Sequence, residues 1–328
     1  MASLRAATTT LLLLLLPCIA CATDRPIIGI LALPIESGDC ITFRSAVPLA
    51  APPTSCFHSL YVKWLEAAGA RVVPLPFDLP RERLDTLLDS INGALITGGE
   101  TDIKNLHTPY MQAAGLLYNT SVNRHRHGEV WPLWGTCMGM QVLSVLGAAD
   151  SSVLLSNAFK SEDLVLPLTL TKHAATSRLL CDGCLRPSEA LTTLTTRNST
   201  VNLHHDGVDP ASFAPSTRLG KAFHVLSTNV DAVGKPFAST IEAATGAPIW
   251  GVQWHPERPQ FEWKDAASGA DRAWHAEATL EAMFAVAARF VKEARKSERR
   301  FATLQAEAAA LIYNFRPVGD SSYEAFMF

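Results

Sequence analysis

One cysteine stands between two glycines in the stretch Gly135-Thr136-Cys137-Met138-Gly139. Apolar runs on both sides predict a strand before the cysteine and a helix after it. Flanking glycines permit the strained turn that lifts a nucleophile out of a sheet edge. The helix N-terminus favours a thiolate, and the Met138 N–H would point at a developing oxyanion. A buried core cysteine is the alternative, and the motif alone does not separate the two.

A general base for this cysteine is available in the stretch "QWHPE", which contains His255 and Glu257. The apolar segment 248–254 predicts a strand that ends here, at the same sheet edge as the strand before Cys137. Side chains two apart in an extended segment face the same way, and Pro256 favours that conformation for His255. We therefore expect a Cys–His–Glu triad. An isolated H-x-E is more often a solvent-facing loop, and only its pairing with the cysteine motif favours the triad.

A second oxyanion donor is expected in "TGGETD", which follows a predicted strand over 92–97. The N–H groups of Gly98 and Gly99 have no side chain beside them to block close approach. An ordinary strand-to-loop turn is the alternative interpretation.

The elements that must position these residues alternate along the chain. Strands are predicted over 26–33, 71–77, 92–97, 130–135, 164–170, 223–228 and 248–254. Helices are predicted over 59–70, 81–91, 108–123 and 138–147, and a long one is marked by Leu280, Phe284, Ala287, Val291 and Ala294. Such alternation indicates an α/β fold with a mostly parallel central sheet and helices on both faces. Prolines place the strand over 71–77 at an edge or an end.

The N-terminal segment has the composition of a secretory signal peptide. Arg5 precedes an apolar run over 11–16, and Ala20-Cys21-Ala22 is an A-x-A-type cleavage signal. The apolar run is too short to span a bilayer. We expect removal of residues 1–22, a single catalytic domain over 23–328, and no membrane segment after cleavage.

The number of cysteines bears on whether Cys137 is free or part of a disulfide. Two of the seven cysteines lie in the signal segment, which leaves Cys40, Cys56, Cys137, Cys181 and Cys184. In an oxidising compartment an odd number leaves one unpaired. The simplest pairing joins Cys40 to Cys56 and Cys181 to Cys184 and leaves Cys137 free, although other connectivities stay open. No second ligand pair accompanies the C-x-x-C, so we expect no metal.

The net charge limits the possible partners, and two glycosylation acceptors fit the secretory pathway. The net charge of −3 excludes a global field that would gather nucleic acid or anionic lipid, so a local basic site must hold any anionic substrate. Asn119 and Asn198 each begin an Asn-x-Ser/Thr acceptor.

Several blocks of the mature chain, in order, resemble class I glutamine amidotransferase-like hydrolases and, within that group, the γ-glutamyl hydrolase (folylpolyglutamate hydrolase) family. Besides the cysteine motif, these blocks are "PIIGIL", "YVKWLEAAGARVVPL", "LDSINGALITGG", "LLYNTS", "GVQWHPERPQFEWK" and "ALIYNF". The resemblance runs from about residue 26 to residue 316.

The resemblance implies a flavodoxin-like fold and hydrolysis of γ-glutamyl isopeptide bonds in folate or antifolate polyglutamates, through a thioester acyl-enzyme and without a cofactor. It makes Cys137 the nucleophile, His255 the general base and Glu257 its partner. It also places His204 on a central strand beside the site and matches Asn119 with a glycosylated position. We further expect a homodimer in the lysosome, the vacuole or the extracellular space.

One position departs from the family. Gln141 stands where the family carries an acidic residue, and glutamine there is typical of true glutamine amidotransferases, so we expect Gln141 to change contacts with the substrate. The alternatives are a hydrolase of other γ-glutamyl compounds, a glutaminase of the same fold, and a non-catalytic binding protein. Secretion and the lack of an acceptor domain disfavour the glutaminase, and the intact triad disfavours the binding protein.

Overall fold

The computed structural model describes residues 23–41, 52–263, 275–319 and 324–328. The predicted signal peptide and its cleavage site lie outside the described residues. The strands are β1 (Ile27–Leu31), β2 (Leu33–Pro34), β3 (Ser55–His58), β4 (Arg71–Leu75), β5 (Gly93–Ile96), β6 (Leu133–Thr136), β7 (Leu154–Leu155), β8 (Ser161–Leu166), β9 (Thr169–Leu170), β10 (Thr200–His204), β11 (Gly207–Val208), β12 (Phe223–Val230), β13 (Pro236–Ala243), β14 (Ile249–Val252), β15 (Val318–Gly319) and β16 (Glu324–Met327). The helices are α1 (Gly38–Ile41), α2 (Ser59–Ala67), α3 (Arg81–Ser90), α4 (Pro109–Arg126), α5 (Met138–Ala148), α6 (Glu189–Thr196), α7 (Arg218–Ala222), α8 (Glu277–Ala294) and α9 (Leu304–Ala310).

The central sheet has eight strands in the order β4-β1-β5-β6-β14-β13-β12-β9. From β4 to β14 all neighbours pair in parallel, and the three strands beyond β14 are antiparallel. The predicted α/β class with a mostly parallel sheet is therefore confirmed. Strand β4 lies at the edge, as its prolines predict.

Helices cover both faces of the sheet because the strands alternate their apolar side chains between two clusters. Ile27 and Leu31 of β1 pack in one cluster with the apolar residues of α3, α4 and α5. Ile28 and Ile30 pack in the other with α2, α6 and α8. Every residue of β1 is buried, as expected for a strand covered on both sides.

The antiparallel half of the sheet differs from the sequence prediction. β13 was not predicted, and the single strand expected over 164–170 is wrong because the chain divides at Pro167. Before it, β8 pairs with β10 in a separate two-stranded sheet; after it, β9 pairs with β12 in the central sheet. Proline has no N–H for a ladder, and the carbonyl of Pro167 accepts instead from the side chain of Asn229.

The long helix α8 forms as predicted, but one of the residues that marked it is not on the buried face. Phe284 is 42 % exposed, whereas Met283 and Phe290 are buried. Phe284 lies about 100° of helical turn beyond Met283, which places it at the margin of the buried stripe. Across the described ranges, no helix combines the length and the apolar composition needed to cross a bilayer.

Two disulfides link cysteines of the described chain. Cys40 of α1 is bonded to Cys56 of β3, and Cys181 is bonded to Cys184, while Cys137 is a buried free cysteine. The first bond ties the α1 turn to a four-stranded sheet, β15-β16-β3-β2, that lies apart from the central sheet.

Candidate active site

Cys137 stands at the junction between β6 and α5, where it is the N-cap of the helix. Its φ is 52° and its ψ is −109°, a conformation that an L-residue adopts only when its surroundings enforce it. The Cys137 N–H donates to the Val252 carbonyl at 2.7 Å, which fixes the turn against the end of β14. The strained backbone predicted for this motif therefore falls on the cysteine itself.

The two glycines of the motif serve close packing. A β-carbon on Gly135 would lie 2.6 Å from the carbonyl group of Gly139, and one on Gly139 would lie 2.2 Å from the Ile96 oxygen. Contacts below 3 Å are excluded, so α5 can begin this close to the ends of β5 and β6 only because both residues are glycine. This close approach places the first turn of the helix beneath Cys137.

His255 and Glu257 follow β14 and face each other. The His255 Nδ1 and the Glu257 Oε1 are 2.7 Å apart, and the two side chains are 4 % and 1 % exposed. The backbone N–H of His255 donates to the Val201 carbonyl of β10 at 2.9 Å, so the small sheet holds this segment in position. The pair occupies the place predicted for it, at the carboxyl edge of the parallel strands.

Cys137 and His255 converge over Gly98. A β-carbon on Gly98 would lie 2.9 Å from the His255 Cε1 and 3.1 Å from the Cys137 Cβ. Burial disfavours the charged imidazole, but the Glu257 carboxylate and the Cys137 sulfur outweigh it, and the pKa of His255 is raised to about 9. The histidine is therefore a cation at neutral pH, poised between a carboxylate and the sulfur.

The structure changes the predicted oxyanion donors. The Gly98 N–H donates to the hydroxyl of Tyr61 at 2.8 Å, so it is not available to a substrate and its prediction as a donor is wrong. Gly99, at a φ of 129°, and Met138 line the cleft beside Cys137. Neither backbone N–H donates to another residue within the described part of the chain. These two amides are the ones that could face an oxyanion.

Tyr61 is a site residue that the sequence analysis missed. Burial raises its pKa well above the usual value, and the Glu257 carboxylate adds to that shift, so the hydroxyl keeps its proton. On the sequence Tyr61 is one of several apolar positions on the buried face of α2. Nothing in a helical pattern distinguishes a core tyrosine from one whose hydroxyl holds a catalytic turn.

Gln141 and His204 have different surroundings, although both lie close to the Asp206 carbonyl. Gln141, on the first turns of α5, lines the cleft and donates its side-chain N–H groups to the Asp206 carbonyl at 3.0 Å and the Gln253 Oε1 at 3.2 Å. His204 is buried against Phe237, and its Nδ1 lies 2.8 Å from the Asp206 carbonyl. Burial lowers the pKa of His204 to about 4, so the ring is neutral.

The predicted strand of His204 needs correction. His204 ends β10, which pairs with β8 in a two-stranded sheet and is not a strand of the central sheet. The register of the β8–β10 pair shifts between Asn202 and His204. The neighbours Leu203 and His205 line the cleft above Cys137, and His204 is not part of that lining. A short polar strand of this kind carries no local signal of which sheet it joins.

The cleft above Cys137 has a volume of about 480 Å³. The acidic and basic side chains in its lining are those of Glu100, Glu162, His205, Asp206, His255 and Arg258. Arg258 also donates to Glu262 at 2.7 Å, which orients its guanidinium. Among the described residues, no three side chains of the types that bind metals are grouped to hold an ion.

A second, larger groove of about 880 Å³ runs along α4 and contains none of the predicted catalytic residues. The glycosylation acceptor Asn119 is exposed in this groove, on the middle of the helix. The other acceptor, Asn198, is exposed in the turn between α6 and β10. Both asparagines are therefore accessible on the folded surface.

Comparison with known proteins gives a consistent result over most of the chain. The sequence profile of the Peptidase C26 family matches residues 26–257. The γ-glutamyl hydrolase of Homo sapiens is 37 % identical over 267 residues, which cover 81 % of this chain and 79 % of the human protein. γ-Glutamyl hydrolase B of Dictyostelium discoideum is 33 % identical over 296 residues, which cover 90 % of this chain and 79 % of that protein. Among solved structures, the glutaminase domain of Trypanosoma brucei CTPS with bound acivicin has a TM-score of 0.48 and 14 % identity, covering 85 % of this chain and all of that domain (100 %).

Proposed function

We propose a mechanism from the premise that this chain belongs to the Peptidase C26 family. The chain is a hydrolase that cleaves γ-glutamyl bonds, the activity named in its relatives. The observation that carries the mechanism is the convergence of a cysteine in a strained turn and a buried His–Glu pair over Gly98. No single one of these features would assign a nucleophile.

In the acylation step, the Cys137 thiolate attacks the γ-carbonyl carbon of the substrate. The carbonyl oxygen becomes an oxyanion, which the N–H groups of Gly99 and Met138 stabilise. The imidazolium of His255 then gives its proton to the leaving amine as the C–N bond breaks. The product is a thioester between the γ-glutamyl group and Cys137.

Deacylation uses the same groups in reverse order. The imidazole of His255, now neutral, removes a proton from water, and the resulting hydroxide attacks the thioester carbonyl. The collapse of the second tetrahedral intermediate releases the acid and the Cys137 thiolate. Glu257 holds the imidazole through Nδ1, and Tyr61 holds the Gly98 turn, so both act through their neighbours.

The substrates we assign are folate and antifolate polyglutamates. Each γ-linked glutamate carries a free α-carboxylate, and Arg258 is the guanidinium in the lining of the cleft. Charge-assisted hydrogen bonds from an arginine to a carboxylate are among the strongest in proteins. The bond of Arg258 to Glu262 restricts the positions that the guanidinium can take at the cleft.

The experiment that tests this function is incubation with pteroylpentaglutamate followed by chromatography of the products. The wild-type chain should release glutamate or shorter γ-glutamyl chains, and Cys137→Ala and His255→Asn should each lose the activity by about 10³-fold or more while melting normally. His127→Asn changes an exposed histidine at the C-cap of α4 in the same way and should be fully active. Turnover of free glutamine without turnover of the pteroyl substrate would replace this assignment with a glutaminase.

We also propose how the chain is processed and to which compartment it is directed. Residues 1–22 direct it into the secretory pathway, and 23–328 are one catalytic domain bound for the lysosome, the vacuole or the extracellular space. Thr23, which follows the proposed cleavage position, donates its N–H to the Arg295 carbonyl at 2.9 Å and is thus packed on the body of the protein. N-terminal sequencing of secreted material should begin at Thr23, and a mass increase removed by glycosidase should mark Asn119 and Asn198.

We further propose that the mature chain forms a homodimer. Light scattering of the purified mature chain should give twice the mass of one protomer. A monomeric mass at micromolar concentration would contradict it.

A further inference from the structure

A line of three hydrogen bonds leads from a backbone carbonyl to the sulfur of Cys137. The Gln141 side-chain nitrogen donates to the Asp206 carbonyl at 3.0 Å and to the Gln253 Oε1 at 3.2 Å. The Gln253 side-chain nitrogen in turn lies 3.5 Å from the Cys137 sulfur. Neither glutamine has a role in the mechanism described above.

The direction of these bonds follows from their first member. The Asp206 carbonyl can only accept, so the group of Gln141 that faces it must be the NH₂ end. The second N–H of that NH₂ then points at Gln253, which must present its oxygen. The NH₂ end of Gln253 is consequently the one that faces the sulfur of Cys137.

The surroundings hold Gln253 in this orientation. Its side chain is fully buried, and its backbone N–H donates to the Ser239 carbonyl of β13 at 2.8 Å. The neighbouring residue, Val252, accepts the N–H of Cys137. Gln253 is therefore anchored on one side to the antiparallel strand and on the other to the turn that carries the nucleophile.

We propose that Gln253 is a positioning residue that stabilises the Cys137 thiolate by donating an N–H to it, and that Gln141 sets the direction of that bond. This inference rests on the proposed function, which makes Cys137 the nucleophile. A hydrogen bond to an ionised acceptor is stronger than one to its neutral form, so an N–H aimed at the sulfur favours the anion. Unlike the proton of His255, this N–H is not consumed in acylation. It is therefore still in place to stabilise the thiolate that deacylation releases.

A Gln141 that orients Gln253 affects the sulfur even without substrate, whereas a Gln141 that only contacts the substrate does not. In Gln141→Glu, the carboxylate has no N–H to donate to the Asp206 carbonyl or to the Gln253 Oε1. Gln253 would turn its NH₂ end to the carboxylate and its oxygen to the sulfur. An acceptor would then face the thiolate, and the anion would lose its donor.

The test is the pH dependence of iodoacetamide alkylation at Cys137, followed by peptide mass spectrometry without any substrate. In Gln253→Met, which has a similar shape and no N–H, the midpoint of alkylation should rise by about one pH unit, with a rate about 10-fold lower below the midpoint. Gln141→Met should raise the midpoint by a smaller amount. The double variant should match Gln253→Met, because Gln141 acts through Gln253.

Two outcomes overturn the inference: an unchanged midpoint in folded Gln253→Met, or additive shifts in the double variant. If Gln253→Met does not fold, Gln141→Glu decides, with the exposed Gln112→Glu as a control of equal charge change that should leave the midpoint unchanged. An unshifted midpoint in Gln141→Glu also overturns the inference. Since alkylation needs no turnover, failure of the proposed function would appear separately, as pteroylpentaglutamate hydrolysis that survives in Cys137→Ala.

Discussion

At the scale of single residues, the turn that carries the nucleophile forms only because the two glycines around it have no side chain. Cys137 accepts a φ of 52°, and the glycines around it let α5 begin almost in contact with the strand ends. The strain at Cys137 costs about 1–3 kcal/mol, which the packing around it must offset. A side chain at either glycine would displace the first turn of the helix and with it the Met138 amide.

The first prediction concerns Gly139. Gly139→Ala places a β-carbon 2.2 Å from the Ile96 carbonyl oxygen, so the helix must move away from β5. We expect a loss of about 1–3 kcal/mol in the free energy of unfolding and a fall in kcat larger than any change in KM. Urea unfolding and steady-state kinetics measure both.

Gly115→Ala is the matched control, because Gly115 is also helical but its nearest neighbour would be the Leu146 side chain at 3.6 Å. That variant should gain up to about 1 kcal/mol through helix propensity. Equal effects of the two substitutions would refute the close-packing argument.

The second prediction concerns the pKa of His255, which burial lowers and which Glu257 and Cys137 raise more strongly, to about 9. As the general acid of acylation, His255 must be protonated, so kcat/KM should fall as pH rises through about 9. Glu257→Gln keeps the hydrogen bond but removes the charge, so this basic limb should move to lower pH. Activity at pH 7 should fall by about 10²–10⁴-fold.

A pH–rate profile of both forms measures the shift, with Glu100→Gln as the control. Glu100 is an exposed carboxylate in the lining of the same cleft, so its removal changes the net charge equally without touching the imidazole. A basic limb that stays in place in Glu257→Gln would show that the carboxylate does not govern the proton of His255.

At the scale of elements, the residues that local patterns could identify are those at strand ends. The apolar runs before Cys137 and His255 predicted β6 and β14, and parallel pairing brings the ends of those strands together. Gln253 and Tyr61 could not be identified in this way. Their roles arise from contacts with residues more than thirty positions away, which no periodicity encodes.

The antiparallel half of the sheet shows where local patterns fail. β13 is buried along nearly its whole length, yet its sequence, "PFASTIEA", is mostly small and polar. The hydroxyl of Thr240 and the carboxylate of Glu242 have partners inside the protein, namely Ser227 and Trp250. A strand whose burial depends on such tertiary partners does not show the apolar pattern of a core strand.

The third prediction compares the disulfides. The bond between Cys40 and Cys56 spans a sequence separation of 16, and the bond between Cys181 and Cys184 spans 3. Because a longer closed loop restricts the unfolded chain more, replacing the first pair by alanines should cost about 3 kcal/mol and replacing the second about 2 kcal/mol. Urea unfolding of the two double variants tests the order, which the opposite ranking would contradict.

At the scale of the whole molecule, buried histidines couple stability to pH. Burial, with help from Arg258, lowers the pKa of His58 to about 3, and burial lowers that of His204 to about 4. The unfolded chain takes up protons on these residues below about 6.5 and the folded chain does not, so stability falls as pH drops from about 6.5 to 4. The stabilising effect of His255 is fully present in that range and is lost only as pH rises through about 9.

The fourth prediction follows from that balance. The free energy of unfolding should be lower by a few kcal/mol at pH 4.5 than at pH 7, and His204→Gln should lessen the difference. His127→Gln, at an exposed site, should leave the difference unchanged. An acid loss of the same size in His204→Gln and in the wild type would remove His204 from the explanation.

The proposed mechanism requires that Cys137 form a covalent γ-glutamyl thioester. The most direct measurement is acid quenching of the enzyme during turnover of pteroylpentaglutamate, followed by mass spectrometry of the peptide that contains residue 137. We expect an acyl adduct on Cys137 that disappears when the substrate is exhausted, and no adduct in Cys137→Ala. Continued hydrolysis by Cys137→Ala, or an adduct on another residue, would contradict it.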